Sequence, residues 1–311
     1  MLIAAAVCPH PPLLVPELAS GAAPELDDLR AACDAAIAAM AAAEPDLIVV
    51  VGGAARDAEL DSSAAGSLAG YGVAWKTGEG EPVLPLSLTI GRWLLERGGL
   101  LDRAGRLEQG RRPGPPRGEQ PAARPSAPPA ARPLAPAAAR PLAPPAARPL
   151  APPAARPSAP PAARPLAPPA PGRPAPPCEQ PGVRLRATAF HSPAQTCLRL
   201  GAEIAARARR VAVLTMGDGT ARLSTRAPGY FDARAEPYNT AVASALASAD
   251  AGWLAQLDPG LSDELMAAGR AAWQVLAGAA GGGRYRAHLH YAAAPYGVGY
   301  FVASWRALTQ P

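Results

Sequence analysis

The sequence predicts an α/β fold in which a mixed, mostly parallel sheet is flanked by helices. Short apolar runs at residues 2–8, 47–51 and 211–215 have the length and composition of buried strands. Ala-rich or amphipathic stretches of helical length lie between them. Such alternation of strands and helices is typical of a sheet whose faces are both covered by helices.

A Pro-rich stretch at residues 111–182 divides the chain. Six near-perfect repeats of Ala-Ala-Arg-Pro-Leu-Ala-Pro-Pro run from residue 122 to residue 169. Because proline fixes φ and removes a backbone donor, the repeats predict a disordered, polyproline II-like insert. The insert interrupts one α/β domain, whose two parts are residues 1–110 and 183–311. Its role stays open between a solvated linker and a ligand for a proline-recognising domain.

The remaining elements follow from periodicity and from turn residues. The pair Gly98-Gly99 ends one predicted helix, and Pro295-Tyr296-Gly297 turns a predicted hairpin. Helices are expected at residues 22–43, 86–96, 194–208, 236–257 with a break, and 262–279, and further strands at 183–190, 285–293 and 298–305.

Charge and cysteine usage limit the partners and the compartment. The formal net charge is +5, but residues outside 111–182 include 20 basic and 23 acidic side chains, a net charge of −3. This balance argues against a nucleic-acid-binding face on the folded part. The four cysteines show no CxxC spacing and predict free thiols in the cytoplasm. No apolar stretch is long enough to span a bilayer, which predicts no membrane partner.

Several side chains that could bind a ligand follow predicted strands. In α/β folds ligands bind at the carboxyl ends of strands, so His10 and the turns at 52–54 and 216–220 are expected to line one crevice. Glycines in these turns let the backbone approach a ligand, and Asp218 could accept a hydrogen bond or cap the next segment. His191 follows another predicted strand and is a further candidate.

Five segments, at residues 6–14, 47–51, 198–205, 216–220 and 268–270, resemble a known family in their order and short motifs. This is the class III extradiol ring-cleavage dioxygenase catalytic-subunit family (LigB-type), which includes the Memo-like proteins. The chain looks closest to an Ala-rich actinobacterial branch of that superfamily. The resemblance covers nearly all of the chain outside the insert. It implies an oxidoreductase whose non-haem iron(II) is held by two His and one acid, with another His as acid/base.

Carried over by position, this resemblance implies a degenerate metal site. His10 matches the first metal-binding His, whereas the second falls at residues 52–54, which are Gly, Gly and Ala. The acid/base His falls near Arg222, and the last ligand falls near residues 267–268, with Glu264 as the nearest carboxylate. One imidazole cannot hold a divalent ion, so neither Fe(II) nor Zn(II) is expected unless other side chains substitute.

Substitute ligands and three functions remain open. His288 and His290 are two residues apart on a predicted strand and therefore share a face, where they could bind metal or simply lie at the surface. Asp218, His191 and Arg222 are the candidate catalytic side chains. The first hypothesis is a diverged homologue that binds a small ligand. The alternatives are an active dioxygenase with substitute ligands and a Memo-like interaction protein, and family members often form homo-oligomers.

Overall fold

The computed structural model describes residues 1–101 and 182–308 of the chain. The octapeptide repeats and Cys178 lie outside the described residues. The strands are β1 (Leu2–Cys8), β2 (Leu47–Ala54), β3 (Ala58–Asp61), β4 (Ala64–Ser67), β5 (Lys76–Thr77), β6 (Glu79–Pro82), β7 (Gly182–Ala189), β8 (Val211–Met216), β9 (Tyr285–Ala293) and β10 (Tyr300–Ala307).

The helices of the described ranges alternate with the main strands. They are α1 (Pro16–Ala19), α2 (Asp27–Ala41), α3 (Leu86–Arg97), α4 (Ala194–Ala206), α5 (Ala235–Ser248), α6 (Ala251–Ala255), α7 (Pro259–Glu264) and α8 (Arg270–Ala280). Short 3-10 helices occur at Pro12–Leu14, Ser20–Leu26 and Ala69–Tyr71.

The predicted fold class is confirmed by the main sheet. In the described part of the chain it has seven strands in the order β3-β7-β2-β8-β1-β10-β9. The four central strands, β7, β2, β8 and β1, run parallel, and the strands at both edges are antiparallel. The central strands are apolar and buried on both faces, as parallel strands between two helical layers must be. A small second sheet has the order β5-β4-β6.

Helices cover both faces of this sheet and create two apolar cores. Ala4, Ala6 and Cys8 of β1 point to the face covered by α2 and α3. Ala5 and Val7 point to the opposite face, which is covered by α4, α5 and α8. This alternation identifies the face to which a side chain just beyond a strand end belongs.

Some predicted boundaries were wrong, for local reasons. The helix expected at 22–43 begins at Asp27, because the preceding turn, which contains Pro24, is a 3-10 helix. The helix expected at 262–279 is divided into α7 and α8, and Met266 between them has a φ of 55°. The short strands β3 to β6 were not predicted.

No helix among the described residues is long and apolar enough to cross a membrane. Cys8, Cys33 and Cys197 are free and buried. A hydrogen bond with Cys8 and burial raise the pKa of the Cys33 thiol, so this side chain stays a thiol at neutral pH.

Candidate functional site

The carboxyl ends of β1 and β8 bring His10 and Asp218 together. These strands are parallel neighbours, and Cys8 pairs with Met216, so each functional residue lies two positions beyond its strand. The backbone N–H of His10 donates to Asp218 Oδ1 at 2.8 Å. The imidazole Nδ1 of His10 lies 3.6 Å from the same oxygen. The two predicted site residues therefore form one His–Asp pair.

Backbone contacts fix the position of Asp218. Its carbonyl oxygen accepts a hydrogen bond from Gly269 N at 2.8 Å, and Gly217 N donates to Cys8 O at 2.9 Å. Gly217 lies so close to Gly269 and Trp273 that a Cβ atom would collide with them. Burial raises the pKa of the Asp218 carboxyl, and the nearby imidazole only partly opposes this effect.

His10 is a buried imidazole with an unsatisfied nitrogen. The residue is 6% exposed. Its Nδ1 has no hydrogen-bond partner among the described residues. Buried polar atoms in proteins nearly always have a partner, so this unpartnered nitrogen beside the Asp218 carboxyl is an exception that a functional role would explain.

Tyr300 is a third member of this group and was not predicted. Val7 pairs with Ala303 in the antiparallel β1–β10 ladder, so the register continued by three residues brings Tyr300 level with His10. Tyr300 is 4% exposed and packs on the same face as Cys8. Burial raises the pKa of the Tyr300 hydroxyl, and the charge of Asp218 raises it further. Side chains alternate between the two faces of the final strand. This alternation, combined with the register of the hairpin, could have predicted Tyr300 from the sequence.

The turn predicted at residues 52–54 was wrong, because these residues continue β2 and pair with β7. Gly52 and Gly53 also leave no room for a second histidine. A Cβ atom on Gly52 would overlap the Ser87 side chain, and one on Gly53 would overlap the ring of Phe190. Ser87 also donates to Gly53 O at 2.7 Å. Both glycine positions expected for the second imidazole are thus filled by packed neighbours.

The other candidate ligands are engaged elsewhere. The His191 side chain is 81% exposed, and its Nδ1 lies 2.7 Å from Asp263 Oδ2. Glu264 accepts a hydrogen bond from Arg234 Nη1 at 2.7 Å. Across residues 1–101 and 182–308, no three His, Cys, Asp or Glu side chains are grouped so that they could hold a metal ion.

His288 and His290 lie on β9, which β10 separates from β1. Their ring centroids are 4.4 Å apart, and His290 Nε2 lies 2.9 Å from Ser304 Oγ. Burial, followed by the neighbouring His288, lowers the pKa of His290. The two imidazoles form a local pair away from His10.

Arg222 lies in the loop after β8, where its backbone oxygen accepts a hydrogen bond from Asp232 N. Its buried Nε has no partner among the described residues. A second arginine, Arg270, was not predicted as important and is 1% exposed. It donates to the carbonyl oxygens of Ser192 and Phe190. Arg270 thereby holds the turn that presents His191.

Comparison with known proteins gives no assignment of this chain. No protein-family model matches it. No curated protein matches it either.

Proposed function

We propose that the chain is a diverged member of the LigB-type extradiol dioxygenase superfamily that binds a small ligand at His10, Asp218 and Tyr300 without iron. The observation that supports this most directly is the unpartnered Nδ1 of the buried His10 beside the Asp218 carboxyl. A ligand hydroxyl or carbonyl oxygen would satisfy this nitrogen. A small molecule in the cytoplasm is the partner that the composition favours.

The side chains present do not fit the iron centre that the resemblance implies. Iron(II) of this type needs several ligands at once and open positions for its substrates. One imidazole and one carboxyl face the rim, and Ser87 and Phe190 occupy the space expected for the second imidazole. Glu264 is held by Arg234, and His191 by Asp263. No step through a metal follows from this set of donors.

The His–Asp–Tyr group can instead bind, orient and move a proton. Depending on its tautomer, His10 Nδ1 can accept a proton from a ligand hydroxyl or donate one to a ligand oxygen. Asp218 Oδ1 lies 3.6 Å from this nitrogen and accepts the backbone N–H of His10, which fixes the position of the residue. The buried Tyr300 hydroxyl is a donor for a ligand oxygen on the same face.

Metal content is the first test of this proposal. The full chain is incubated anaerobically with iron(II) and separately with zinc, desalted, and measured by elemental analysis. We expect substoichiometric metal in the wild type and no change in His10→Ala, because the donors are too few. Near-stoichiometric iron that is lost in His10→Ala would contradict the proposal and support the alternative of an active dioxygenase.

Ligand binding is the second part of the same test. The probe is catechol, the compound class that the resemblance implies, observed by saturation-transfer NMR. We expect a signal with the wild type and with His191→Ala, the matched control with an exposed histidine, and its loss in His10→Ala. Equal signals from all three proteins, or none from the wild type, would refute a ligand site at His10.

A further inference from the structure

A cavity of about 1180 Å³ lies at the amino-terminal ends of the parallel strands, whereas His10 lies at their carboxyl ends. It is lined by Met1 and Leu2 at the start of β1 and by Arg306 near the end of β10. Arg210 and Arg284 also line it, and no carboxylate side chain is found among the described lining residues. All charged side chains among the described lining residues are therefore arginines.

One arginine of this cavity, Arg306, occupies a position that is costly to the fold. Arg306 lies directly opposite Arg286 in the β9–β10 ladder. Like charges directly opposite each other destabilise an antiparallel pair. The side chains of Arg284, Arg286 and Arg306 are exposed and make no hydrogen bond or ion pair with any residue that the structure describes.

A regular alternation of residues places the basic side chains on one face of β9. Tyr285, Ala287 and Leu289 pack against the core, so Arg286 and His288 point to the other side. Charges on an edge strand commonly prevent sheets from associating edge to edge. That explanation does not extend to Arg306, because β10 is paired on both sides.

The far wall of the cavity holds two more positive groups in fixed positions. Arg210 donates from Nε to Glu44 O at 2.9 Å and from Nη2 to Ala43 O at 2.5 Å. The ammonium group of Met1 donates to the carbonyl oxygens of Ala208 and Arg209. These guanidinium and ammonium bonds are made to neutral carbonyls, while the Asp46 carboxylate accepts the backbone N–H of Arg210 at 3.0 Å. This concentration of cations occurs in a chain whose residues outside 111–182 have a net charge of −3.

We propose that this cavity binds a small ligand that bears two or more phosphate groups. Arginine matches phosphate oxygens with two parallel donors, and separate arginines can hold separate phosphates. The volume exceeds the usual range of small-molecule sites, which is on the order of 300–1,000 Å³, so it can admit a ligand of nucleotide size. The site is concave, and the residues outside 111–182 have a net negative charge, so a compact anion is favoured over a long polyanion. This inference does not depend on the proposed function at His10.

The test is calorimetric titration of the full chain with inorganic tripolyphosphate. The test variant is Arg284→Gln/Arg306→Gln. The matched control is Arg56→Gln/Arg226→Gln, which removes two exposed arginines outside the cavity. We expect the test variant to weaken binding by roughly tenfold or more, because hydrogen bonds between charged groups are lost. The control should bind as the wild type does.

The melting temperature without ligand separates a binding role from a structural one. Relief of the Arg286–Arg306 repulsion should raise the melting temperature of the test variant. Undiminished tripolyphosphate binding by that variant would overturn the proposal, since the arginines of 111–182 would then be the binders. A lowered melting temperature with unchanged affinity would assign these arginines to the fold. His10→Ala should not alter tripolyphosphate binding, so failure at one site is distinguishable from failure at the other.

Discussion

Asp218 is a carboxylic acid in a place where its charge is costly. Burial raises its folded-state pKa, so the native state favours the protonated form. The associated stability is fully present below the unfolded-state pKa and is lost as the pH rises through the higher folded-state pKa. At neutral pH the charged side chain therefore destabilises the fold. A residue kept in spite of such a cost is a candidate for function.

The variant Asp218→Asn should reverse this cost, because the amide oxygen can still accept the hydrogen bond from His10 N. At about pH 7 its free energy of unfolding should exceed that of the wild type by on the order of 1 kcal/mol, while at about pH 3 the difference should vanish. Urea denaturation over this pH range measures both values.

Asp232→Asn is the control of opposite sign. Hydrogen bonds from Arg234 lower the pKa of the half-buried Asp232 to about 2, so this substitution should remove stability at neutral pH. A loss of stability in Asp218→Asn at neutral pH would show that the carboxylate itself holds the turn.

At the scale of elements, Arg270 joins α8 to the turn after β7. Its guanidinium donates to Ser192 O at 2.5 Å, to Gln274 Oε1 at 3.2 Å and to Phe190 O. Arg270→Met keeps the length of the side chain but leaves two buried carbonyls unsatisfied, which should cost about 3 kcal/mol. The midpoint of urea unfolding measures this loss.

Arg199→Met is the matched control for this substitution. The Arg199 side chain is 72% exposed and faces Glu203 at 3.6 Å. Exposed pairs of this kind contribute little, so its unfolding midpoint should stay close to that of the wild type. Equal midpoints for the two variants would mean that solvent replaces the bonds of Arg270.

The elements that the sequence predicted well are those with a strong apolar signal. The boundaries of β1 were correct to the residue, and α3 ended at the expected glycines, because burial on both faces or a clear stop signal determines such elements. Short polar strands such as β3, whose stability comes from pairing with β7, leave no periodic signal. The division between α7 and α8 depends on the left-handed Met266, which composition does not encode.

The site was only partly predictable for the same reason. His10 and Asp218 follow strong strands, so their proximity could be expected from the topology. Tyr300 required the register of an antiparallel hairpin, which depends on the turn. That Ser87 and Phe190 fill the space beside Gly52 and Gly53 could not be predicted, because these are tertiary contacts between segments distant in sequence.

At the scale of the whole molecule, one sheet presents different chemistry at the two ends of its strands. The carboxyl ends of β1 and β8 hold the His–Asp–Tyr group, and the opposite ends of the strands hold Arg210, Arg284 and Arg306. The strands between them are apolar and buried, so the two ends are separated by the core. Substitutions at one end of the strands should therefore change the free energy of unfolding independently of substitutions at the other end, so that the two effects add.

The two apolar clusters of the described residues draw on both ranges, 1–101 and 182–308. We expect the segment of 80 residues between Leu101 and Gly182 to act on the stability of this core through the length of the loop that it closes. Deleting residues 122–169 shortens that segment to 32 residues, and a change of this size lowers the closure entropy by only about 0.8 kcal/mol.

The deletion should therefore leave the melting temperature nearly unchanged or slightly raised. Scanning calorimetry of the full chain and of the deletion variant, at equal concentration, measures the difference. Catechol and tripolyphosphate binding should also persist in the deletion variant, because their proposed sites lie within the described residues. A large fall in melting temperature would mean that the octapeptide repeats contact the core and that they belong to the folded domain.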